Sequence, residues 1–289
     1  MSRPDPPALS SPANPTVRHL VRMRDNRARR RSGKLIVDGW RETLRAYRAG
    51  IELSGLYATK AELDELASAN AIPSRGNEDE PSSANSQLVS HAQQIGALQL
   101  VTPAIMSKIS YGQSPRGVVA EFTEPDRSLA NLRLGPSPLI LILDRIEKPG
   151  NVGAVFRCAD AAGVDAVILS DCSCDLFNPN AIRSSLGAVF TVPAASDTTQ
   201  NISQFLSRCG IRPLAARVES SHELWASDLT GPLAVILGNE SNGLANRWQQ
   251  VDGQEIAGVR IPMNGQVDSL NISVSAALIA FEAIRVRNA

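Results

Sequence analysis

The stretch LILILDRIEKPGNVGAVFRCADAAGVDAVILS, residues 139–170, decides the fold class. It opens on five consecutive branched aliphatics, passes through a polar loop holding Pro149 and Gly150, continues through a segment rich in Ala and Val, and closes on the apolar run DAVILS (165–170). An aliphatic run without polar alternation suits a strand buried on both faces, and a helix between two such strands is the connection that a parallel pair requires. Downstream, AVFTVP (188–193), PLAAR (213–217), LAVILG (233–238) and VRIP (259–262) read as further strands of the same kind. Residues 136–289 are therefore expected to form an α/β domain on a largely parallel sheet. Ligands of such sheets lie beyond the carboxyl ends of the strands, so the loops after these runs are where chemistry is sought.

Upstream, Pro136 and Pro138 mark a linker, and residues 14–128 read as a smaller α/β domain. Its spacing predicts a helix from Thr16, a strand at Leu35–Val37 and a helix from Trp40 to Tyr47. A strand in LSGLYAT (53–59), LQLVT (98–102), a helix over Pro103–Ile109 and a strand in GVVAEF (117–122) follow. The polar stretch SRGNEDEPSSANSQLVSH (74–91) is expected to be a flexible surface insertion, and residues 1–13, rich in Pro and Ser, a disordered tail.

A hydrophobic fraction of 43% is adequate for ordinary cores. No apolar run approaches a membrane span, and the start lacks the apolar centre of a secretory signal, so a cytoplasmic protein without membrane association is expected. The four cysteines lack CxxC spacing and the three histidines are scattered, which argues against a metal site or a disulfide framework. The formal net charge of zero conceals a local excess: between Asn14 and Gly50 there are eleven Lys/Arg against three Asp/Glu. Arg27, Arg29, Arg30 and Arg31 are the candidate contacts to a nucleic-acid backbone, the alternative being a solvated helix face.

Three loops carry the remaining candidates. In DRIEKPGNVGAVFRCADAAG (144–163), Asn151 is placed to cap a helix starting near Val152, and Gly153 suits close packing. Arg157, about one and a half turns in, would join the helix N-terminus in holding an anion. In LAVILGNESNGL (233–244), Gly238 and Asn239 are ordinary turn residues, whereas Glu240 places a carboxylate at the expected crevice. In VRIPMNGQVDSLNISVSAALIAFEAIRVR (259–287), Ser269, Leu270 and Asn271 precede an apolar helix. Val274, Ala277, Leu278, Phe281 and Ile284 form a stripe there that suits a core or a dimer contact, and Ser269 and Asn271 also suit caps.

Taken in order, NVGAVFRCADAAG, LGNESNGL and IPMNGQVDSLNISVSAALIAFE resemble the three signature motifs of the SpoU/TrmH family of RNA ribose methyltransferases, over residues 138–287. The domain ahead is similar to the substrate-binding domain, related to ribosomal RNA-binding proteins, that many members carry. The resemblance implies a deep trefoil knot, a homodimer with a shared active site, S-adenosyl-L-methionine as cofactor and structured RNA as substrate, ribosomal RNA favoured over transfer RNA. It also implies an active-site set of Asn151, Arg157, Glu240, Ser269 and Asn271, with Ala216, Leu237, Gly238, Ile261 and Leu270 around the cofactor. Arg183, in NPNAIRSSLGAVF, matches a second basic position near an RNA phosphate or the cofactor carboxylate. Arg157 is the family's usual candidate for the base, but a guanidinium stays protonated. It is therefore expected to grip the neighbouring phosphate, leaving proton acceptance to a phosphate oxygen, a water or Glu240. A knotted enzyme acting on a base nitrogen and a non-catalytic ribosome-assembly protein are the alternatives; the Ser-Leu-Asn triplet and the Asn-x-Gly-x-x-x-Arg pattern favour the ribose oxygen.

Overall fold

The computed structural model describes residues 7–71, 81–112, 115–219, 221–239, 243–267 and 269–289. Glu240, residues 1–6 of the expected tail and residues 74–80 of the expected insertion lie outside that set. The chain divides into two compact units, Met1–Pro125 with Phe177–Pro179, and Asp126–Leu176 with Asn180–Ala289.

The first unit runs α1 (Pro15–Arg22), α2 (Asn26–Ser32), β1 (Lys34–Asp38), α3 (Trp40–Arg48), β2 (Leu53–Ala58), α4 (Lys60–Ala71), α5 (Pro81–Gln94), β3 (Leu98–Leu100), α6 (Pro103–Ile109) and β4 (Val118–Thr123). Its sheet has the order β1-β4-β2-β3, with β4 antiparallel to both neighbours and β3 parallel to β2. Val17 and Leu20 of α1 pack with Ile105, Met106 and Ile109 of α6 over Ile36 and Val119 of the sheet. Two expectations are corrected here. From Pro81 onward the polar stretch is helix, and Ala84, Leu88 and Ala92, four residues apart, are buried as a helical stripe. The tail is tied down at Leu9, whose N–H donates to Leu100 O (2.9 Å) while Thr102 N–H donates to Leu9 O (3.0 Å), pairing it with the chain just after edge strand β3.

A third correction concerns the basic run. Asp25 caps α2, accepting from Ala28 N–H at 3.1 Å, and this turns Arg29 inward until only 2% of it is exposed. Its Nη1 donates to Met23 O (2.7 Å) and Arg24 O (2.9 Å), closing the turn between α1 and α2. Arg29 is thus committed to the fold and is not a contact for nucleic acid, whereas Arg27, Arg30 and Arg31 are exposed.

The second unit runs β5 (Leu139–Asp144), α7 (Pro149–Ala162), β6 (Ala166–Ser170), α8 (Pro179–Ser184), α9 (Ala188–Thr191), β7 (Ala194–Asp197), α10 (Thr199–Cys209), β8 (Arg212–Ala216), β9 (Ser221–Glu223), β10 (Leu233–Leu237), β11 (Gln250–Val251), β12 (Gln254–Glu255), β13 (Ala257–Arg260) and α11 (Ile272–Arg287). Seven strands form one sheet of order β7-β6-β5-β10-β8-β13-β9, every neighbouring pair parallel. Central strands β5 and β10 are buried throughout, as their unbroken aliphatic sequences require. The run AVFTVP is not a strand: Ser185 Oγ accepts from Gly187 N–H (3.1 Å) and Val189 N–H (3.5 Å), starting the short helix α9, and the strand falls on the next four residues. Leu129, Leu132 and Leu134 of the expected linker pack against the core of this unit.

Helix α11 lies against α7 with Ile272, Ala276, Ile279, Ala280 and Ala283 inward. Val274 (45%), Leu278 (37%) and Phe281 (51%) of the stripe read from the sequence face outward instead. Among the described residues no helix is long and apolar enough to cross a membrane, and no cluster of three His, Cys, Asp or Glu is placed to hold a metal. Arg29→Ala is expected to cost about 1–3 kcal/mol, since it strips two carbonyls of a charged donor, while Arg30→Ala should stay within about 0.5 kcal/mol. Urea denaturation of both variants measures the difference.

Candidate active site

A cavity of about 860 Å³ opens beyond the carboxyl ends of β8, β10 and β13, the location a parallel sheet reserves for ligands. Ala216, Leu237 and Gly238 reach it from β8 and β10, and Ile261 from the end of β13. Ser269, Leu270 and Asn271 close it where α11 begins. Gly238 is required by space: a Cβ there would stand 2.1 Å from the carbonyl carbon of Gly243 and 2.5 Å from Leu244 N. The chain doubles back at this point, with Gly243 N–H donating to Asn239 O at 3.0 Å, so that Gly243 to Asn246 form a wall of the cavity. Arg217, Glu219, Glu255 and Arg260 add both signs of charge to the lining. The two cations are engaged, Arg217 with Gln249 Oε1 (3.0 Å) and Ile256 O (2.5 Å), Arg260 with Ser221 O (2.5 Å).

Seven of the residues singled out from the sequence therefore meet in one cavity: Ala216, Leu237, Gly238, Ile261, Ser269, Leu270 and Asn271. Asn271 caps α11, its Oδ1 accepting from Ser273 N–H (2.9 Å) and Ser273 Oγ (2.7 Å), and its Nδ2 lies 3.5 Å from Asn151 Oδ1. Asn151 itself is no cap. Pro149 starts α7 two residues earlier, at the position where a fixed φ and a missing N–H are harmless, and Lys148 takes the cap position without a side-chain bond.

That earlier start also corrects Arg157, which lies more than two turns into α7, roughly 12 Å from its beginning along the axis, and so does not share an anion with the helix N-terminus. It is exposed and lies outside the cavity lining. Its neighbour Cys158, on the same face as Asn151 seven positions on, directs Sγ to Ser273 O at 3.6 Å. Burial pushes the Cys158 thiol up from its usual range, and the nearby positive charge of Arg157 offsets part of this. Arg183, also exposed, belongs to α8, which is held against α7 at Gly153, where a Cβ would meet Ser184 Oγ and Ala181 O.

One group of residues escaped the sequence reading. Asp144, at the end of β5, is 1% exposed and accepts from Ser170 Oγ (2.9 Å), Trp248 Nε1 (3.0 Å), and Nε and Nη2 of Arg247 (both 3.0 Å). Arg247 Nη2 also reaches Asp171 Oδ2 and Thr199 Oγ1. The one available signal was a single carboxylate terminating an otherwise aliphatic strand.

Residues 138–281 match the SpoU rRNA Methylase family, and residues 14–120 match the MRM3-like substrate binding domain. The 23S rRNA (guanosine-2'-O-)-methyltransferase RlmB of Vibrio vulnificus is 31% identical over 243 residues, which is 81% of this chain and 96% of that protein. The chain belongs to the SpoU rRNA methylase family. Among solved structures, one described as an RNA 2'-O ribose methyltransferase is 33% identical and superposes with a TM-score of 0.76 over 96% of this chain and 98% of that one. An rRNA methyltransferase from Sinorhizobium meliloti, bound to AdoMet, shares the fold with a TM-score of 0.79 at 24% identity, over 97% and 98% of the two chains.

The Asp171 carboxyl is held below its ordinary value of 3.8, first by the hydrogen bond from Arg247. A lowered folded pKa means that its contribution to stability is complete above 3.8 and is lost as the pH falls through the lowered value. Asp171→Asn is therefore expected to lower the melting temperature near neutrality and to flatten the acid limb of stability against pH. Thermal melts from neutral pH down to about two units below the ordinary carboxylate range measure both effects.

Proposed function

We propose that this protein transfers the methyl group of S-adenosyl-L-methionine to a ribose 2′-hydroxyl of structured RNA, ribosomal RNA in preference to transfer RNA. The observation that carries this reading is the cavity beyond β8, β10 and β13, which gathers Ala216, Leu237, Gly238, Ile261 and Leu270 beside Ser269 and Asn271. Its size and its mixed lining, with aliphatic side chains, amides and both signs of charge, fit a ligand with a flat heterocycle and a zwitterionic amino-acid end. The relatives' names, which specify ribose methylation of 23S rRNA, point the same way.

Bound there, S-adenosyl-L-methionine supplies a methyl group activated by a sulfonium. Leu237, Gly238, Ile261 and Leu270 hold it, with Ala216 completing the strand-end rim. Ser269 and Asn271 orient the ribose at the cavity mouth, and Asn151 steadies Asn271. Displacement at a methyl carbon rewards alignment of nucleophile and leaving group above all, so positioning is the main task of these residues. Arg157 and Arg183, exposed on α7 and α8, take RNA phosphates. Arg157 stabilises negative charge as the hydroxyl loses its proton to a phosphate oxygen, a water or Glu240. The same reading includes the trefoil knot, supported by the placing of the late strand β13 between β8 and β9. It also includes a homodimer, supported by the outward apolar stripe of Val274, Leu278 and Phe281, and a cytoplasmic setting.

Calorimetry with S-adenosyl-L-methionine and mapping of 2′-O-methyl positions in RNA from deletion and parent strains test this function. Arg157→Ala is expected to keep cofactor binding and to lower the single-turnover rate roughly a hundredfold, the scale of a lost charge-stabilising donor. Gly238→Ala should abolish binding by pushing the 243–244 segment into the cavity. A parent protein that shows no affinity for the cofactor, or a deletion strain with an unchanged methylation map, would sink the proposal.

For RNA docking the triple variant Arg27→Ala, Arg30→Ala, Arg31→Ala is the informative one, with Arg29 left in place for the fold. The slope of log affinity against log salt should become shallower by up to about 3 units, roughly one per lost phosphate contact. Cofactor affinity should be unaffected. An unchanged slope in filter binding would remove these arginines from the RNA interface.

A further inference from the structure

The wall of the cavity between Gly243 and Gln249 belongs to no helix or strand, yet Gly243, Leu244, Ala245, Asn246 and Gln249 all line the site. The two intervening residues, Arg247 and Trp248, point the other way, into the group centred on Asp144. Ala245 and Trp248 are held at φ 46° and 57°, a left-handed conformation that residues with side chains adopt where their surroundings over-determine it. What determines it here is visible. Leu244 and Trp248 are buried in the core, Trp248 Nε1 donates to Asp144, and the Arg247 fork grips both oxygens of the same carboxylate.

Asp144 is also the last residue of β5, and the loop leading to Asn151 departs from it through Arg145, itself at φ 55° with its N–H on Ser170 O (2.9 Å). Asp171, just past β6, and Thr199, at the start of α10, hold the outer side of the guanidinium. Three strand-end loops thus converge on one cation. A buried carboxylate deprived of its charged partner does not stay in place, because its desolvation is no longer offset. Moving Asp144 or Arg247 therefore displaces the cavity wall and the approach to Asn151 together.

We infer that Arg247, clamped between Asp144 and Asp171, is a positioning residue of the cofactor site, fixing the 243–249 wall against the loop that leads into α7 and Asn151. This rests on reading the cavity as the cofactor site.

The test uses the full chain and the variants Arg247→Gln, Arg247→Lys and Asp171→Asn, with two measurements on each. Hydrogen exchange reports the 243–249 segment without any ligand, and calorimetry reports the affinity for S-adenosyl-L-methionine. Arg247→Gln is expected to speed exchange in 243–249 and in the 144–149 loop, and to weaken cofactor affinity on the order of tenfold, the scale of a remote coupling. Arg247→Lys should recover part of both effects, since it restores the charge without the fork. If Arg247→Gln fails to fold, Asp171→Asn, altered at a part-exposed position, decides alone and should show the same pair of changes in smaller degree. Faster exchange with affinity held within twofold would overturn the inference and leave the clamp a purely structural feature, as would unchanged exchange in a folded variant. A parent chain that does not bind the cofactor would overturn the reading of the cavity, whereas the exchange measurement would still judge the clamp.

Discussion

A carboxylate buried at the end of an aliphatic strand has to be paired, and the pairing of Asp144 organises the whole carboxyl edge of the larger sheet. Strands β5 and β10 lie side by side at its centre, in register from Leu139 with Leu233 to Leu143 with Leu237. At this shared edge one chain continues into Asp144 and the other into Gly238. The first is drawn back by Arg247 and Trp248, residues that the second delivers after its turn. Charge and space act together: the ion pair sets where the returning segment lies, and the absent side chain of Gly238 lets it lie that close.

The strands β5, β6 and β10 were legible because burial on both faces leaves no polar position to confuse the pattern. Strand β8 lies one residue ahead of its run, and β13, exposed at its start, begins two residues before VRIP and shares only Val259 and Arg260 with it. AVFTVP misled for the complementary reason. A short apolar run has no period, so a buried helix and a buried strand look alike, and the deciding contact comes from Ser185 before it. Helix α5 hid because its buried stripe is two alanines and one leucine among Ser, Asn and Gln. The edge strand β9, three polar residues with one face of the sheet's end to itself, carried no hydrophobic signal at all.

The candidate site was legible to a similar degree, with the errors concentrated on charged residues. Small and apolar positions such as Gly238, Ile261 and Leu270 line the cavity because their place follows from where a strand stops. Charged side chains are long, and a sequence does not say which way they turn. Arg29 stands in a run of exposed arginines yet is turned inward by the cap at Asp25, and Arg247, inconspicuous in its loop, grips a carboxylate 103 positions away.

That distinction separates two kinds of cation in the second unit. Arg217, Arg247, Arg260 and Arg287 are each spent on protein acceptors; Arg287 alone ties α11 to Leu229 O, Gly231 O and Ser137 O. The side chains of Arg157 and Arg183 make no hydrogen bond or ion pair among the described residues and stand on the exposed faces of α7 and α8, which pack together at Gly153. An unpaired guanidinium kept in water costs little and remains fully available to a polyanion, whereas one already satisfied inside the fold would have to give up its partners first. The protein thus keeps its structural cations and its available cations in separate places. Arg157 stands six residues beyond Asn151 on α7, and Arg183 on the helix that packs against α7 at Gly153.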